Sequence, residues 1–487
     1  MVAPASAAVI VATITVIAAV LRLHLLAARS LWIDEAASVN FATMAWWPFL
    51  RLLWSYQGNM TLYYFLLRGW VHLGDSEAVV RGLSVLFGVA TVPAIYALGA
   101  RMFDRVTGVT AAALLAIHSF HIQWSQEARA YSLLTFLLVL TTYFFVRAMD
   151  SPLAKRYWAA FTLSAALSVY AHIFAVFLLP AYVLAIILPH PFSFKLRTVV
   201  AASVGFAFLV FPISAFVLLQ HSSQIDWITR PTLTDVYHFF ELLTGQGGLW
   251  SVAAYLALSV LALTPLFESV RSEKEAWSLR LVAFWLVLPP ALTLAASPFK
   301  PLFFSRYMIM CVPALILLAG RGISRVAAIP TGGRAMGTVC LVVMVSLSAW
   351  GTTRYFASTT PTEDWRSAVG YILQREHPGD GAVFFIPNDY GYLYYVQRAE
   401  SSQHSILAPS VLYPTEPRHP VSRDEVLRVT KGRPRVWLIF CNESVNPQAA
   451  ATMQSTMSEQ FQKVDSGVFA GEDPITVTLY SRPDPDR

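Results

Sequence analysis

The chain has 487 residues, 56% of them hydrophobic and 13% charged, with a mean hydropathy of +0.53. Water-soluble domains carry about 25% charged residues, so this composition excludes a wholly water-facing surface and fits a chain that faces lipid. The net charge of +6 does not mark a nucleic-acid binder, because Lys and Arg sit in short loops between apolar runs and form no continuous stripe.

The first apolar run, Val9 to Val20, has no basic segment before it and leads into Arg22 and His24 without a cleavage site. It reads as a retained span over 5–26 rather than a signal peptide. The loop 27–59 follows and opens on Trp32-Ile33-Asp34-Glu35. Adjacent carboxylates at a membrane face are either a solvated pair or a functional one; a carboxylate there can take the proton of an attacking hydroxyl. The stretch 60–74 is too short and interrupted to span, and fits an interfacial helix with Tyr63, Tyr64 and Trp70 at headgroup level.

Ten further spans are expected at 79–100, 106–123, 130–148, 157–172, 173–189, 199–219, 251–267, 279–297, 303–320 and 335–352, about eleven in all. Basic residues recur in alternate loops: Arg101 and Arg105; Arg147, Lys155 and Arg156; Lys195 and Arg197; Arg271, Lys274 and Arg280; Arg321, Arg325 and Arg334. The positive-inside rule makes these loops and the N-terminus cytoplasmic. The same count places 27–59, 121–129, 220–250, 298–306 and the tail 353–487 outside.

Three outer segments carry polar groups. The turn His121 to Tyr131 holds Glu127, Arg129 and Tyr131. There Arg129 can bind a phosphate through its planar fork while Glu127 orients it or helps hold a metal; alternatively the two form a salt bridge that closes the turn. His172, in Tyr170-Ala171-His172, lies where two apolar runs meet, as a packing residue or a site residue. Ser305-Arg306-Tyr307 opens the tenth span. A cation there gains nothing from the helix dipole, whereas an anionic ligand gains from both; the other reading is an interfacial anchor.

From Gly351 the sequence turns polar. Thr362–His377 reads as a helix capped by Thr362, with Trp365, Ala368, Val369, Ile372 and Leu373 on one face. Ala382–Pro387, Arg435–Phe440 and Thr476–Ser481 read as strands, with helical patterns at 422–429 and 449–462, so the tail is expected to be a small α/β domain. Domains are thus expected at 1–352 and 353–487. Cys311, Cys340 and Cys441 show neither metal spacing nor a disulfide pattern.

The ordered set WIDEAASV at 32–39, SQEARAYSLL at 125–134, YAHIFAVFLL at 170–179, SRYMIMCVPAL at 305–315 and TEDWRSAVGYI at 362–372 resembles the GT-C-type, polyprenyl-phosphate-dependent glycosyltransferases. The likeness is to the bacterial branch related to protein O-mannosyltransferases and the lipid A aminoarabinose transferase. It implies a mostly α, polytopic GT-C fold with an extracytoplasmic α/β domain, in a bacterial inner membrane. It implies that Asp34 is the catalytic base, followed by Glu35, and that Glu127 and Arg129 are the polar pair of the second loop. Tyr131, His172, Arg306 and Tyr307 fall at less diagnostic substrate-binding positions. The segment Gln57–Tyr64 departs from the family, whose members often carry a Pro-rich His-Pro-Pro-like stretch there.

The implied reaction moves a sugar from a polyprenyl-phosphate donor to a lipid, cell-envelope glycan or protein acceptor, inverting the anomeric centre. The donor supplies the energy, and no phosphate-binding loop is present. No cofactor is required; a divalent Mg or Mn ion, if one takes part, would involve Asp34 and Glu127. Two other classes remain open. A lipid or polysaccharide transporter would carry ionisable residues or broken helices near mid-membrane in paired halves, and an inactive relative would act as a glycan-binding scaffold.

Overall fold

A segment crossing hydrocarbon must satisfy its own backbone N–H and C=O groups, and a helix does so within one segment. The computed structural model describes residues 4–219, 228–267, 272–358, 360–384, 389–400, 421–441 and 447–483. Every expected span coincides with a helix. Eight are long and apolar enough to cross a membrane: Ala5–Leu23, Glu77–Met102, Tyr131–Asp150, Leu196–Leu219, Gly248–Leu266, Glu273–Ala296, Ser305–Ala327 and Gly333–Ala357. A ninth would be the pair Arg105–Ala116 and Ser119–Ser125, bent by 61°. The remaining two, Lys155–Ala171 at 17 residues and Ile173–Ile187, are shorter than those eight. The chain is a multi-pass membrane protein in which eight helices, or nine with the bent pair, are long and apolar enough to cross a membrane among the described residues, where about eleven spans are expected from the sequence.

The 61° bend has a specific cause. Arg22, fully buried, donates to Leu115 O at 3.2 Å and Ala116 O at 2.9 Å, the last carbonyls of helix Arg105–Ala116. The last carbonyls of a helix lack the usual i+4 partners, and Leu115 O also accepts the His118 N–H at 3.3 Å. The same guanidinium bonds to Ala18 O, to Ser125 Oγ and, at 2.8 Å, to His121 Nδ1. A side chain inserted at a helix break is a recognised source of sharp kinks. Gly88 makes room, since a Cβ there would sit 2.2 Å from Ser125 Oγ and 3.2 Å from Arg22 Nε.

Ion pairs tie the basic loops into one cluster. Asp104 caps helix Arg105–Ala116 through Thr107 N at 2.8 Å and pairs with Arg321, which also pairs with Glu275. Asp150 pairs with Arg101 at 2.7 Å and Lys274 at 2.8 Å. Four of the five loops read as sharing a membrane side are therefore bonded together. The Tyr pair is packed against protein: within helix Thr61–Trp70, Tyr63 and Tyr64 are buried, and Tyr63 Oη hydrogen-bonds Ser84 Oγ at 2.9 Å.

The chain forms two compact units, Met1–Leu26 with Met44–Gly74 and Val79–Ala357, and Ala27–Thr43 with Asp75–Ala78 and Ser358–Arg487. Segments 27–43 and 75–78 thus group with the tail instead of with the spans they adjoin in sequence. In the second unit a mixed sheet runs β1-β2-β4-β3, with β1 Gly381–Phe384, β2 Arg435–Cys441, β3 Gln462–Phe469 and β4 Ile475–Ser481. β1 is parallel to β2; β4 is antiparallel to both β2 and β3. Alternation along the strands builds two cores. Phe384, Trp437, Ile439, Val477 and Leu479 pack with Trp365, Val369 and Ile372 on one face. Val383, Val436, Leu438 and Phe440 pack with Val426, Met453 and Met457 on the other. Covered on both sides, β2 is a continuous apolar run.

Two details differ from the sequence reading, and one lies partly outside the described residues. Helix Trp365–Leu373 is capped by Asp364, which accepts from Ser367 N, and not by Thr362. The strand expected to reach Pro387 is described only to Phe384; 385–387 lie outside the described residues. Helix Tyr390–Glu400 and strand β3 were not expected.

Candidate functional site

Within the membrane unit, residues from three separate segments come together. Helix Ser119–Ser125 stops at Gln126, whose side-chain amide donates to Arg22 O at 3.0 Å and His24 O at 2.7 Å and accepts from Tyr355 Oη at 2.9 Å. That anchor fixes the turn carrying Glu127 and Arg129. The Arg129 N–H donates to Glu127 O at 2.7 Å, and its carbonyl accepts from Ser84 Oγ at 3.0 Å. Arg129 is buried, Glu127 half-buried, and Tyr131 begins the next helix fully buried.

His172 ends helix Lys155–Ala171 in extended backbone. Its Nδ1 accepts the Phe174 N–H at 3.3 Å, opening the 3₁₀ turn Ile173–Leu178. A neutral imidazole has one donor and one acceptor nitrogen. With Nδ1 accepting, the proton lies on Nε2, which is buried and has no hydrogen-bond partner among the described residues. Around this ring lie Tyr307 at 4.9 Å, Phe174 at 5.4 Å and Tyr131 at 5.7 Å between centroids, with Tyr131 and Tyr307 stacked at 6.3 Å. Arg306 lies over Phe304 at 4.8 Å and Tyr307 at 5.6 Å, in the cation–π arrangement. Both Arg129 and Arg306 are near enough to act on His172 electrostatically. Arg129, Tyr131, His172, Arg306 and Tyr307 are therefore one cluster.

In the second unit, Asp34 and Glu35 occupy the first turn of helix Ile33–Thr43, where the helix dipole favours carboxylates. Asp34 is half-buried and Glu35 fully buried. The sequence reading missed Glu363. Its carboxylate accepts the Ile33 N–H at 2.9 Å and the Trp365 indole N–H, so it satisfies an orphan donor at the start of the Asp34 helix. The sign visible in the sequence was only an acidic residue two before a buried Trp.

Burial pushes the Glu363 carboxyl up from its ordinary 4.5 to about 7, with the charges of Asp473 and Asp34 adding to the rise and the two hydrogen bonds opposing it. The sign follows from linkage. The folded state disfavours the carboxylate, so this contribution to stability is full below about pH 4.5 and is lost as pH rises toward 7. The loss amounts to about 3 kcal/mol. Glu363→Gln removes the titration, so the melting temperature of the variant relative to wild type should climb between pH 5 and pH 8. A pH-independent difference would show that Glu363 does not titrate there.

Among the described residues no group of three or more His, Cys, Asp and Glu is arranged to hold a metal ion.

Residues 60–217 match the family model for dolichyl-phosphate-mannose-protein mannosyltransferase. No curated protein sequence matches significantly. In structure the chain is similar to ArnT from Cupriavidus metallidurans in the apo state, with a TM-score of 0.61, 12% identity and coverage of 96% of this chain and 97% of that one. The same protein bound to undecaprenyl phosphate aligns with a TM-score of 0.60 at 12% identity, over 96% and 97% of the two chains. The archaeal oligosaccharyltransferase AglB from Archaeoglobus fulgidus, in complex with an inhibitory peptide and a dolichol-phosphate, aligns with a TM-score of 0.57 at 11% identity, over 98% of this chain and 74% of that one. This chain is a multi-pass membrane protein with the GT-C glycosyltransferase fold, similar over residues 60–217 to the dolichyl-phosphate-mannose-protein mannosyltransferases.

Proposed function

We propose that the chain is an inverting glycosyltransferase that moves a sugar from a polyprenyl-phosphate donor to a lipid, cell-envelope glycan or protein acceptor. The observation that carries this reading is the buried His172 Nε2 donor, close to two guanidiniums and walled by tyrosines. A buried donor without an acceptor costs about 1–3 kcal/mol, and a phosphate oxygen would relieve it. Two arginines suit the charge that grows on a departing lipid phosphate. The fold is shared with structures that hold undecaprenyl phosphate and dolichol-phosphate.

In the reaction, an acceptor hydroxyl attacks the anomeric carbon, the bond from that carbon to the phosphate oxygen breaks, and its electron pair leaves with the lipid phosphate. Asp34 takes the hydroxyl proton. The scheme asks for no nucleotide and no resident cofactor. The test is binding of undecaprenyl phosphate to the purified chain: His172→Phe, which keeps an aromatic ring of similar size, should weaken it by about tenfold, since one charge-assisted hydrogen bond is worth ~1.5 kcal/mol or more. Unchanged affinity in the folded variant would take His172 out of the site.

The setting we infer is a bacterial inner membrane, with the N-terminus cytoplasmic and the tail outside. The bonded cluster of basic loops supports it, because the positive-inside rule then fixes one end for all of them. A periplasm-active reporter fused after Arg487 should be active, and a cytoplasm-active one silent. The reverse pattern would put the proposed site on the wrong face.

A further inference from the structure

Two helices of the second unit face each other across a cleft of about 350 Å³. Ala36, Val39, Asn40 and Thr43 line one wall, and Tyr390, Tyr394, Gln397 and Arg398 the other, with Asp75 at the edge. Both sets follow helical spacing, so each wall is one helix face. The volume lies within the range of small-molecule sites, about 300–1,000 Å³.

The chemistry of the lining is specific. Its one cation and one anion neutralise each other: Arg398 pairs with Asp75 at 2.6 Å and lies over the Tyr394 ring at 5.3 Å. Tyr394 Oη donates to Asp75 O at 2.8 Å, which fixes the same corner. Tyr390 is held edge-on by Phe41 at 5.4 Å between centroids. The Asn40 and Gln397 amides make no hydrogen bond to another described residue, and each offers both donors and an acceptor. The cleft therefore presents neutral hydrogen-bonding groups and aromatic surface, with no net charge to attract an ion.

We infer that this cleft binds a neutral saccharide, whose hydroxyls match the paired donors and acceptors and whose C–H face matches the Tyr390 ring. Asp34 lies two residues before Ala36, about 200° around the helix at 100° per residue, so it projects from a different face. The cleft thus holds a part of the saccharide other than a hydroxyl deprotonated by Asp34. That the saccharide is the acceptor glycan rests on the glycosyl-transfer reading; that the cleft takes a saccharide does not.

The test uses the full chain in lipid nanodiscs, free of sugar-headed detergent, and saturation-transfer NMR with mannobiose, cellobiose and chitobiose as probes. At least one disaccharide should bind saturably, and Asn40→Ala with Gln397→Ala should weaken it at least tenfold. The single variant Gln397→Ala alters only an exposed side chain and should weaken it severalfold, guarding against misfolding of the double variant. Cleavage of a polyprenyl-phosphate sugar by water, measured in parallel, should be unchanged by either variant. If no donor is cleaved by any form but disaccharide binding still depends on Asn40 and Gln397, the glycosyl-transfer reading fails and the site stands. Absence of disaccharide binding, binding indifferent to both variants, or displacement by a Ser/Thr-rich peptide in place of a sugar would each overturn the proposal.

Discussion

Asp34→Asn should lower glycosyl transfer by about two to four orders of magnitude, the usual contribution of a positioned general base, while the protein still folds. The swap is nearly isosteric. Its structural cost is confined to the first turn of helix Ile33–Thr43, where loss of one carboxylate from a helix N-terminus costs about 0.3–1 kcal/mol. The Ser38 side chain bonds the Asp34 backbone carbonyl at 2.7 Å and is untouched by the change. Donor affinity should hold, because the phosphate is assigned to other residues. The competing account is a solvated acidic pair that only decorates the helix start, under which the variant turns over like wild type. Glu35 is a poor substitute as base, since its side chain is wholly buried. Purified variant and wild type, compared for turnover per folded molecule, decide between the two.

Arg129→Lys should reduce donor turnover by about tenfold or more with little change in melting temperature. A charge-assisted hydrogen bond is worth about 1.5–3 kcal/mol, and 1.4 kcal/mol is a factor of ten. Lys keeps the charge but loses the planar two-pronged donor, so a large effect reports a bidentate contact. The rival is a salt bridge in which Glu127 and Arg129 merely close their turn. That account predicts that Glu127→Gln and Arg129→Lys both act through stability and spare the turnover of folded molecules. The structure gives the turn other supports: the Gln126 amide is bonded to Arg22, His24 and Tyr355, and the Arg129 carbonyl to Ser84. These bonds hold the turn through groups other than the Arg129 head. If both variants lose only thermal stability, Arg129 leaves the site.

The spans were readable because a lipid-facing helix must be apolar along its whole length, and length alone then separates it from other structure. The His172 and Arg306 sites were readable as positions but not as neighbours, since nothing in Tyr170-Ala171-His172 or Ser305-Arg306-Tyr307 records that their rings pack together. Arg22 shows the limit more sharply. In sequence it merely ends an apolar run; in the fold it caps a helix about 90 residues away, and the carbonyls it bonds have no side-chain signature. Glu363 was hidden for a similar reason, because its partner is the backbone of Ile33. Strand β3 escaped because its sequence QKVDSGVF carries Lys463, Asp465 and Gly467 on a sheet edge, where one covered face suffices and the usual β-branched run is absent. Helix Tyr390–Glu400 is crowded with tyrosines, which favour strands by propensity, and tertiary packing against Trp365 decides its form. Gly391 permits that packing, as a Cβ there would lie 2.4 Å from the Trp365 ring.

The central claim is that the chain cleaves a polyprenyl-phosphate sugar at the bond between anomeric carbon and phosphate oxygen. The most direct measurement incubates the purified protein with a panel of undecaprenyl- and dolichyl-phosphate hexoses and pentoses, and follows lipid phosphate by mass spectrometry alongside the anomeric configuration of the sugar product. Release of lipid phosphate from at least one donor, with an inverted product and with loss of both in Asp34→Asn, is the predicted result. Intact donors throughout, together with movement of uncleaved lipid across a vesicle membrane by the same preparation, would contradict the account and assign the chain to transport.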